Sequence, residues 1–424
     1  MTQTTPTEAE SLAARLSTAA RAAAARLARA TTLEKNRVLE VLAERLVRES
    51  DRVLAANAKD LAVAEAEGLK GALLDRLRLT PTRIAAMAGG VRQVIALPDP
   101  VGAMEGMQRR PNGLLVGRMR IPLGVIAIIY EARPNVTVDA GVLCIKSGNA
   151  PILKGGREAF HTNNTLVELM REALVAAGLP ADAVQAVATS ERAVIAALIR
   201  RDRDIDLVIP RGGESLIRYV SENATVPVIQ HYKGVCHVYV DATADLAMAA
   251  DIAFNAKVHR PGVCNAMETL LIHRDAAPRL IPDLFARYKA AGVALRGDAR
   301  TRALWPEATA AVEEDWSTEY LDLILSVRLV DDFDTAVEHI RRYGSGHTDA
   351  IVTNDYRASQ RFIAEVGSSC VLVNASTRFN DGFELGLGAE IGISTSRLHA
   401  FGPMGLEELT TRKFVVMGAG QVRS

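Results

Sequence analysis

One cysteine stands in a local sequence that suits nucleophilic chemistry. Cys264 lies in the stretch RPGVCNAMETLLIH, after Pro261 and Gly262 and before an apolar run typical of a strand. A turn at the end of an element exposes backbone N–H groups, which lower a thiol pKa and can bind an oxyanion. A cysteine also packs as a small hydrophobic residue, so the local sequence leaves both interpretations of Cys264 open.

Two glycine-rich segments suit the binding of phosphate groups. In GNAPILKGGRE, Lys154 ends a predicted strand and precedes two glycines and a helix, where a cation and helix N–H groups can meet a phosphate. In DLVIPRGGES, Gly212 and Gly213 stand between a strand and a helix. The second segment lacks the G-x-G-x-x-G spacing, and the first is equally consistent with a solvated lysine. Neither segment alone establishes a dinucleotide site.

Three residues of QHYKGVCH have the side chains of metal ligands, namely His231, Cys236 and His237. A tetrahedral zinc site needs further ligands, and no second Cys/His cluster in the sequence completes the set. We therefore predict no metal site.

The elements that position these residues follow from the hydrophobic pattern. Apolar residues recur at three- and four-residue steps over about 8–75, which predicts helices. The stretch 109–135 contains a Pro-Asn-Gly turn and then alternates, which predicts an exposed strand or hairpin before a buried strand at 125–130. From 151 onward strand-like runs alternate with amphipathic segments. This alternation predicts doubly wound parallel sheets, and a second block from about 235 predicts two α/β domains in tandem.

Composition excludes several classes of partner. The 424 residues carry 50 Lys plus Arg and 50 Asp plus Glu, so the balanced charge offers no general attraction to nucleic acid or an anionic membrane. No window holds the roughly 18 uncharged apolar residues of a membrane span. The four cysteines are too few and too scattered for a disulfide framework, which indicates a reducing compartment. We predict a cytoplasmic protein.

Five motifs, taken in order, resemble one branch of the aldehyde dehydrogenase superfamily, the γ-glutamyl phosphate reductases. The motifs are IPLGVIAIIYEARPN, GNAPILKGGRE, DLVIPRGGES, RPGVCNAMETLLIH and the stretch that begins NASTRFNDGFELGLGAEIGIST. The segments RPGVCNAMET and GLGAEIGIST are the most specific of them. The resemblance extends from near the N-terminus to about residue 418.

The resemblance implies an aldehyde dehydrogenase-like α/β fold in three parts. A dinucleotide-binding domain is expected at 1–107 and 125–235, and a catalytic domain with the nucleophilic cysteine at 236–375. A small β extension at 108–124 and 376–424 is expected to mediate oligomerisation. The hairpin-like piece and a strand-like run near the C-terminus both depart from the α/β alternation, in agreement with this division. The protein is thus expected to be a homo-oligomer, a dimer or a tetramer.

The implied reaction is the NADPH-dependent reduction of L-γ-glutamyl 5-phosphate to L-glutamate 5-semialdehyde and phosphate, the second step of proline synthesis from glutamate. The Cys264 thiolate attacks the acyl phosphate, and hydride reduces the resulting thioester. Ordinary aldehyde dehydrogenases carry a Glu that activates water for thioester hydrolysis, whereas the matching segment 228–241 has none. Its absence favours the reductive direction. The alternative is a related enzyme that acts on another acyl phosphate, an acyl-CoA or an aldehyde with the same cysteine chemistry.

The same matching assigns further residues to the cofactor and the oxyanion. Lys154 is expected at the adenosine ribose, Gly212 and Gly213 beneath the pyrophosphate, and Glu319 at the nicotinamide ribose. A Gly rather than an acidic residue near Lys154 suits the 2′-phosphate of NADPH. The superfamily completes its oxyanion site with an Asn near the first βα turn. Asn135 is the nearest Asn here, although it is displaced from the expected position.

The implied substrate carries a phosphate and an α-carboxylate, and both need cations. Arg133, Arg260 and Arg378 are the candidates, because each lies in one of the motifs and arginine binds such groups bidentately. The sequence does not rank them. Because the acyl phosphate is a labile mixed anhydride, we also predict contact with the glutamate kinase that makes it.

Overall fold

A computed structural model describes residues 7–131, 133–189, 191–230 and 232–423. The chain divides into two compact units. The first comprises Met1–Gln230, Leu387–Gly392 and Met404–Ser424, and the second comprises His231–Gly386 and Ile393–Pro403. Of the three residues considered as metal ligands, His231 lies outside the described residues. Among the described residues, no cluster of three or more His, Cys, Asp or Glu side chains could hold a metal ion.

The first unit opens with helices whose starts the sequence specifies. Thr7 with Glu10, and Thr31 with Glu34, form capping boxes in which each threonine and glutamate satisfies backbone N–H groups at the helix start. The elements of this part are α1 (Glu8–Leu27), α2 (Thr32–Arg48), α3 (Ser50–Ala66), α4 (Gly71–Leu77), α5 (Pro81–Ala96), β1 (Met104–Arg109), β2 (Leu115–Pro122), β3 (Val125–Tyr130), α6 (Pro134–Lys146), β4 (Ala150–Lys154), α7 (Phe160–Ala176), β5 (Gln185–Ala186), α8 (Arg192–Leu198), β6 (Leu207–Arg211) and α9 (Glu214–Asn223).

The second unit continues the alternation of strands and helices, and the last strand returns to the first unit. The elements are β7 (Cys236–Val240), α10 (Leu246–Val258), β8 (Met267–His273), α11 (Ala277–Ala290), β9 (Ala294–Gly297), α12 (Ala299–Leu304), β10 (Thr309–Ala310), β11 (Ile324–Val330), α13 (Phe333–Tyr343), β12 (Thr348–Val352), α14 (Tyr356–Glu365), β13 (Cys370–Val373), β14 (Ile393–Ser394), β15 (Gly402–Pro403) and β16 (Thr410–Met417).

The first unit contains a parallel sheet with the strand order β5-β4-β3-β6. Every residue of β3 is buried, which explains why this strand is a continuous apolar run. The central strand pairs Ile128 with Leu153 of β4 and with Ile209 of β6. The carboxyl ends of these strands therefore lie along one edge, where ligands bind in sheets of this type.

The hairpin β1-β2 forms a separate antiparallel sheet with β16. The domain prediction placed all of 376–424 in this extension, but the structure divides that stretch. Residues 376–386 and 393–403 belong to the second unit. The reason is hydrogen bonding to distant parts of the second unit: Asn265 Nδ2 donates to the Asn380 carbonyl at 2.9 Å, and Asn380 Nδ2 donates to Thr348 Oγ1 at 2.7 Å. The boundary expected after 235 lies after Gln230.

The second unit is built on a parallel sheet with the order β10-β9-β11-β8-β7-β12-β13. Strands β7, β8 and β12 are buried along their whole length, and large side chains such as Phe285 and Tyr288 fill the core beside them. The predicted α/β fold with doubly wound parallel sheets is confirmed. No helix formed by the described residues is long and apolar enough to cross a bilayer.

Candidate active site

Cys264 lies in the turn between α10 and β8 and is partly exposed. The other three cysteines differ from it in their surroundings. Burial raises the pKa of Cys144 and of Cys236 well above that of a free thiol, and burial raises the pKa of Cys370 to about 11. A thiol that stays protonated is a poor nucleophile. Cys264 is therefore the cysteine whose position suits nucleophilic chemistry.

Gly234 lies directly against the backbone of Cys264. A Cβ atom at position 234 would lie 1.9 Å from the Cys264 carbonyl oxygen and 2.7 Å from its Cα, so no larger residue fits there. The contact follows from the sheet order, because Gly234 precedes β7, Cys264 precedes β8, and these strands are parallel neighbours. The Gly234 N–H donates to Glu319 Oε1 at 2.9 Å. Gly234 thus connects Cys264 to one of the predicted cofactor residues.

The peptide of Cys264 is held from two further sides. The thiol of Cys236 donates to the Cys264 carbonyl oxygen at 3.1 Å, and its raised pKa keeps it a donor. The next residue, Asn265, is anchored through its side chain to the Asn380 carbonyl. These contacts fix the turn and so fix the direction in which the Cys264 side chain leaves it.

Two of the three arginines expected at the substrate lie near Cys264. Burial lowers the pKa of Arg378, the Arg260 guanidinium lowers it further, and charge on Asp381 and on the Cys264 sulfur opposes this shift. Across the described residues neither Arg260 nor Arg378 makes an ion pair with a carboxylate, and Arg378 Nε contacts His259 Nδ1 at 3.4 Å. Two adjacent cations of this kind suit a dianionic group such as a phosphate.

A fully buried ion pair lies between the two elements that flank the Cys264 turn. Lys257 at the end of α10 and Glu268 on β8 meet at 2.6 Å between Nζ and Oε2, and neither side chain is exposed. Burial raises the pKa of Glu268 to about 7, which the Lys257 ammonium opposes. Glu268 Oε1 also accepts from the Leu321 N–H at 3.2 Å. The sequence offers one signal of this pair, a charged residue within the apolar run METLLIH, but no signal of its partner.

Lys154 ends β4 at the carboxyl edge of the first unit's sheet. It is 6% exposed, and its Nζ donates to the Gly155 carbonyl at 3.0 Å. Burial lowers the pKa of Lys154, and the charge on Glu158 opposes this effect. Lys154 lines a narrow cleft with Tyr130 and Asn163, and a Cβ at Gly155 would lie 2.0 Å from Asn163 Nδ2. A larger residue at position 155 would therefore displace the Asn163 side chain.

A cavity of about 450 Å³ lies beside the loops that follow β4 and β5. Arg157, Thr189 and Glu67 contribute to its wall. The Arg157 guanidinium, on a side chain that is 63% exposed, pairs with Glu67 at 2.9 Å. Arg157 directly follows the Lys-Gly-Gly segment of 154–156, and this position is the only sign of it in the local sequence.

The Gly212-Gly213 turn at the start of α9 already binds a carboxylate. The Gly213 N–H donates to Glu131 Oε1 at 2.7 Å, and a Cβ at Gly212 would lie 2.7 Å from the same oxygen. The turn therefore has the geometry of an anion site, as expected for a helix N-terminus after a glycine pair. Its occupant here is the side chain of Glu131.

Arg133 and Asn135 lie at the start of α6, at the carboxyl end of β3, and both are exposed. Asn135 Nδ2 donates to Asp139 Oδ2 at 3.1 Å, and burial raises the pKa of Asp139 to about 6. The predicted residues thus fall into two sets. The second unit holds Cys264, Arg260, Arg378 and Glu319, and the first unit holds Lys154, Gly212, Gly213, Arg133 and Asn135.

The sequence is similar to known proteins over nearly its whole length. A model of the aldehyde dehydrogenase family matches residues 2–304. The γ-glutamyl phosphate reductase of Geobacter metallireducens is 57% identical over 404 residues, which are 95% of this chain and 97% of that protein.

Solved structures show the same likeness. The crystal structure of γ-glutamyl phosphate reductase from Thermotoga maritima is 44% identical, covers 97% of this chain and 100% of its own, and superposes with a TM-score of 0.96. An engineered glycolyl-CoA reductase with bound NADP⁺ is 16% identical, with a TM-score of 0.68 and 96% of each chain covered. The second likeness shows the fold alone.

Proposed function

The chain belongs to the aldehyde dehydrogenase family, and from that premise we propose that it reduces L-γ-glutamyl 5-phosphate to L-glutamate 5-semialdehyde in proline biosynthesis. The observation that carries the proposal is the cluster of Cys264, Arg260 and Arg378, in which a partly exposed thiol lies beside two cations without carboxylate partners among the described residues. An acyl phosphate needs this combination, because a nucleophile attacks its carbonyl while cations hold the leaving phosphate.

The Cys264 thiolate begins the reaction. Its sulfur bonds to the γ-carbonyl carbon, the bond from that carbon to the phosphate oxygen breaks, and phosphate leaves with the electron pair and takes a proton from solvent. Arg260 and Arg378 stabilise the charge on the departing phosphate. Cys264 is left as a thioester, and its sulfur leaves as a thiolate when the reduced carbon becomes the aldehyde.

The second unit contains a structural reason for the reductive direction. In ordinary family members a glutamate activates water against the thioester, but 228–241 supplies no glutamate. Gly234 of this segment packs on Cys264 and has no side chain to act as a base. The carboxylate of this segment, Asp241, is held by Thr243 and Thr353 at 2.8 Å each at the far end of β7. The segment 228–241 thus supplies no glutamate to activate water against the thioester.

A nicotinamide cofactor supplies the hydride for this reduction when it is bound. The residues of the first unit fit such a group, because Lys154 is a cation at the carboxyl edge of the sheet and the Gly213 N–H binds an anionic oxygen. We propose that the pyrophosphate replaces the Glu131 carboxylate at Gly213. Glu319 of the second unit is proposed to hold the nicotinamide ribose.

Two residues of the first unit are proposed to act on the substrate. Asn135 is the proposed oxyanion donor, and Arg133 is a third candidate for binding the substrate's anionic groups.

We propose that the cofactor is NADPH rather than NADH, and Arg157 supports this preference. Its guanidinium lines the cavity next to the Lys154 loop, where a 2′-phosphate can bind in place of Glu67. Replacement of the Glu67 carboxylate by the 2′-phosphate costs little, since an exposed ion pair contributes only about 0–1 kcal/mol. Positions 155 and 156 are glycines, and Glu158 lies in the cavity wall beside Glu67.

A substrate screen in the oxidising direction tests the proposed function. NADP⁺ reduction should require both L-glutamate 5-semialdehyde and inorganic phosphate. Dependence on CoA in place of phosphate would support the alternative, an enzyme that uses the same cysteine on an acyl-CoA.

We further propose that the sheet β1-β2-β16 pairs with a second copy of the chain. Among the described strands β16 is an edge of this sheet, and Phe414, Val416 and Met417 are at least half exposed along it. A long apolar edge strand is a ready template for another chain. The lability of the acyl phosphate supports a contact with the kinase that makes it, and four free cysteines support a cytoplasmic location.

A further inference from the structure

We propose that Glu268 is a positioning residue: together with Lys257 it holds the Glu319–Leu321 segment against the Cys264 turn and thereby sets the affinity for the nicotinamide cofactor. This inference rests on the proposed function, in which Glu319 binds the nicotinamide ribose. Neither Glu268 nor Lys257 belongs to the residues assigned above to the cofactor, the substrate or the nucleophile.

Lys257 and Glu268 are both fully buried. A carboxylate and an ammonium that are both fully buried lose their hydration, and this loss often exceeds their mutual attraction. Such a pair is therefore weak as a source of stability alone. Its value lies in the direction it gives to the remaining carboxylate oxygen, because Lys257 engages Oε2 and leaves Oε1 of Glu268 fixed for another donor.

That donor is the N–H of Leu321, at 3.2 Å from Oε1. Leu321 has φ of 55°, a left-handed backbone in which the leucine Cβ crowds the neighbouring carbonyl oxygen. A strained conformation persists only where surrounding contacts determine it, and such residues cluster at functional sites. The hydrogen bond from the Leu321 N–H to Glu268 Oε1 holds Leu321 in this strained conformation.

The position of Leu321 affects that of Glu319, because the two residues are only two positions apart in the chain. Glu319 Oε1 accepts from Gly234, which packs on Cys264, and the Leu321 carbonyl faces Gly262 of the same turn, 3.6 Å from where a Cβ would be. The segment is thus tied to the Cys264 turn near both of its ends. Lys257 also lies 5.9 Å from the centre of the intervening Tyr320 ring. Without Glu268, the Leu321 end is released and Glu319 loses its fixed position.

A double-mutant cycle on NADP⁺ binding tests the proposal. The dissociation constant is measured by titrating NADP⁺ into the full-length protein and its variants and following heat, with no turnover involved. Glu268→Ala should weaken binding about tenfold, as Glu319→Ala should, and the double variant should bind no more weakly than Glu319→Ala alone. Glu268→Gln, combined with Lys257→Met so that no buried ammonium faces the amide NH2, keeps an oxygen that can accept from Leu321 and should retain most of the affinity.

Two further variants separate positioning from folding. If Glu268→Ala does not fold, the cycle is run with the paired change Lys257→Met and Glu268→Leu, which removes the acceptor without leaving a lone buried charge. The matched control is Lys35→Met with Asp99→Leu, which removes another buried pair, of 2.5 Å, in the first unit. The control should leave NADP⁺ affinity unchanged.

Three results would overturn the proposal: unchanged NADP⁺ affinity on loss of Glu268, equal losses in the presence and absence of Glu319, or an equal loss in the Lys35–Asp99 control. A wild-type protein that binds NADP⁺ but fails to reduce it with glutamate semialdehyde and phosphate would instead reject the proposed function. The two failures are therefore distinguishable.

Discussion

The carbonyl oxygen of Cys264 lies where the side chain of residue 234 would begin: a Cβ atom on Gly234 would be 1.9 Å from it. The same glycine donates its N–H to Glu319 at 2.9 Å. One residue without a side chain thus allows the segment leading into β7 to contact both Cys264 and a proposed cofactor residue.

Gly234→Ala should lower kcat/KM by about a hundredfold, since displacement of a reacting group by about 1 Å has an effect of this size. The added methyl must push the Cys264 peptide away. Steady-state kinetics with glutamate semialdehyde, phosphate and NADP⁺ measure the loss. Gly89→Ala is the control, because nothing lies within 4 Å of the Cβ added there. Equal activity of the two variants would show that the close approach has no role in catalysis.

Arg378→Ala should raise the KM for inorganic phosphate in the oxidising direction by about ten- to a hundredfold, the size of a lost charge-assisted hydrogen bond. Arg260→Ala should have a smaller effect, because Arg260 is exposed while Arg378 is partly buried. Arg361→Ala removes an exposed arginine paired with Asp334 in the same unit and should change nothing. A normal phosphate KM in the Arg378 variant would remove that residue from the substrate site.

Arg157→Ala should raise the KM for NADPH about tenfold and leave the KM for NADH unchanged, because only the 2′-phosphate is proposed to need the guanidinium. The ratio of kcat/KM for the two cofactors is the measurement. Arg83→Ala, which removes an arginine bound to Asp75 at 3.0 Å, controls for the loss of a surface charge. Parallel losses with both cofactors would place Arg157 outside the 2′-phosphate site.

His339 should make stability fall with acid. Burial lowers the pKa of His339 to about 2, with the charges of His237, Arg328 and Arg342 adding to the effect. The unfolded chain binds a proton near the ordinary histidine pKa of about 6.5, so below that pH unfolding takes up a proton and stability declines by up to about 1.4 kcal/mol per pH unit.

The variant His339→Asn should lose this part of the decline while its oxygen still accepts from Arg328, which now bonds Nδ1 at 2.9 Å. Urea unfolding between pH 5 and 7.5 measures the slope. Replacement of the exposed His161 by Asn is the control and should leave the slope as in the wild type. An unchanged slope in His339→Asn would show that another group causes the acid sensitivity.

The sequence predicts those parts of the fold that depend on local burial. The run METLLIH is β8 from its first residue to its last, because a strand covered on both faces is apolar throughout. The run of 125–130 is β3 for the same reason. Such patterns report which residues are buried, and in a parallel α/β sheet that is enough to place the strands.

Contacts between loops were not predictable in this way. Gly234 and Cys264 touch because β7 and β8 are neighbours in the sheet, and neither local sequence records that order. The same limit explains why 376–386 was placed with the β extension, since its ties to Asn265 and Thr348 join segments far apart in the chain. The charge of Glu268 in an apolar strand was visible, but its partner Lys257 was not.

Nucleophilic catalysis by Cys264 is tested by the variant Cys264→Ala, assayed both for turnover and for NADP⁺ binding. Removal of a covalent nucleophile should lower kcat by a factor of at least about a thousand. Calorimetric titration should show unchanged NADP⁺ affinity, since the change leaves Lys154, Gly213 and Glu319 in place. Turnover at the wild-type rate in this variant would show that Cys264 is not the nucleophile.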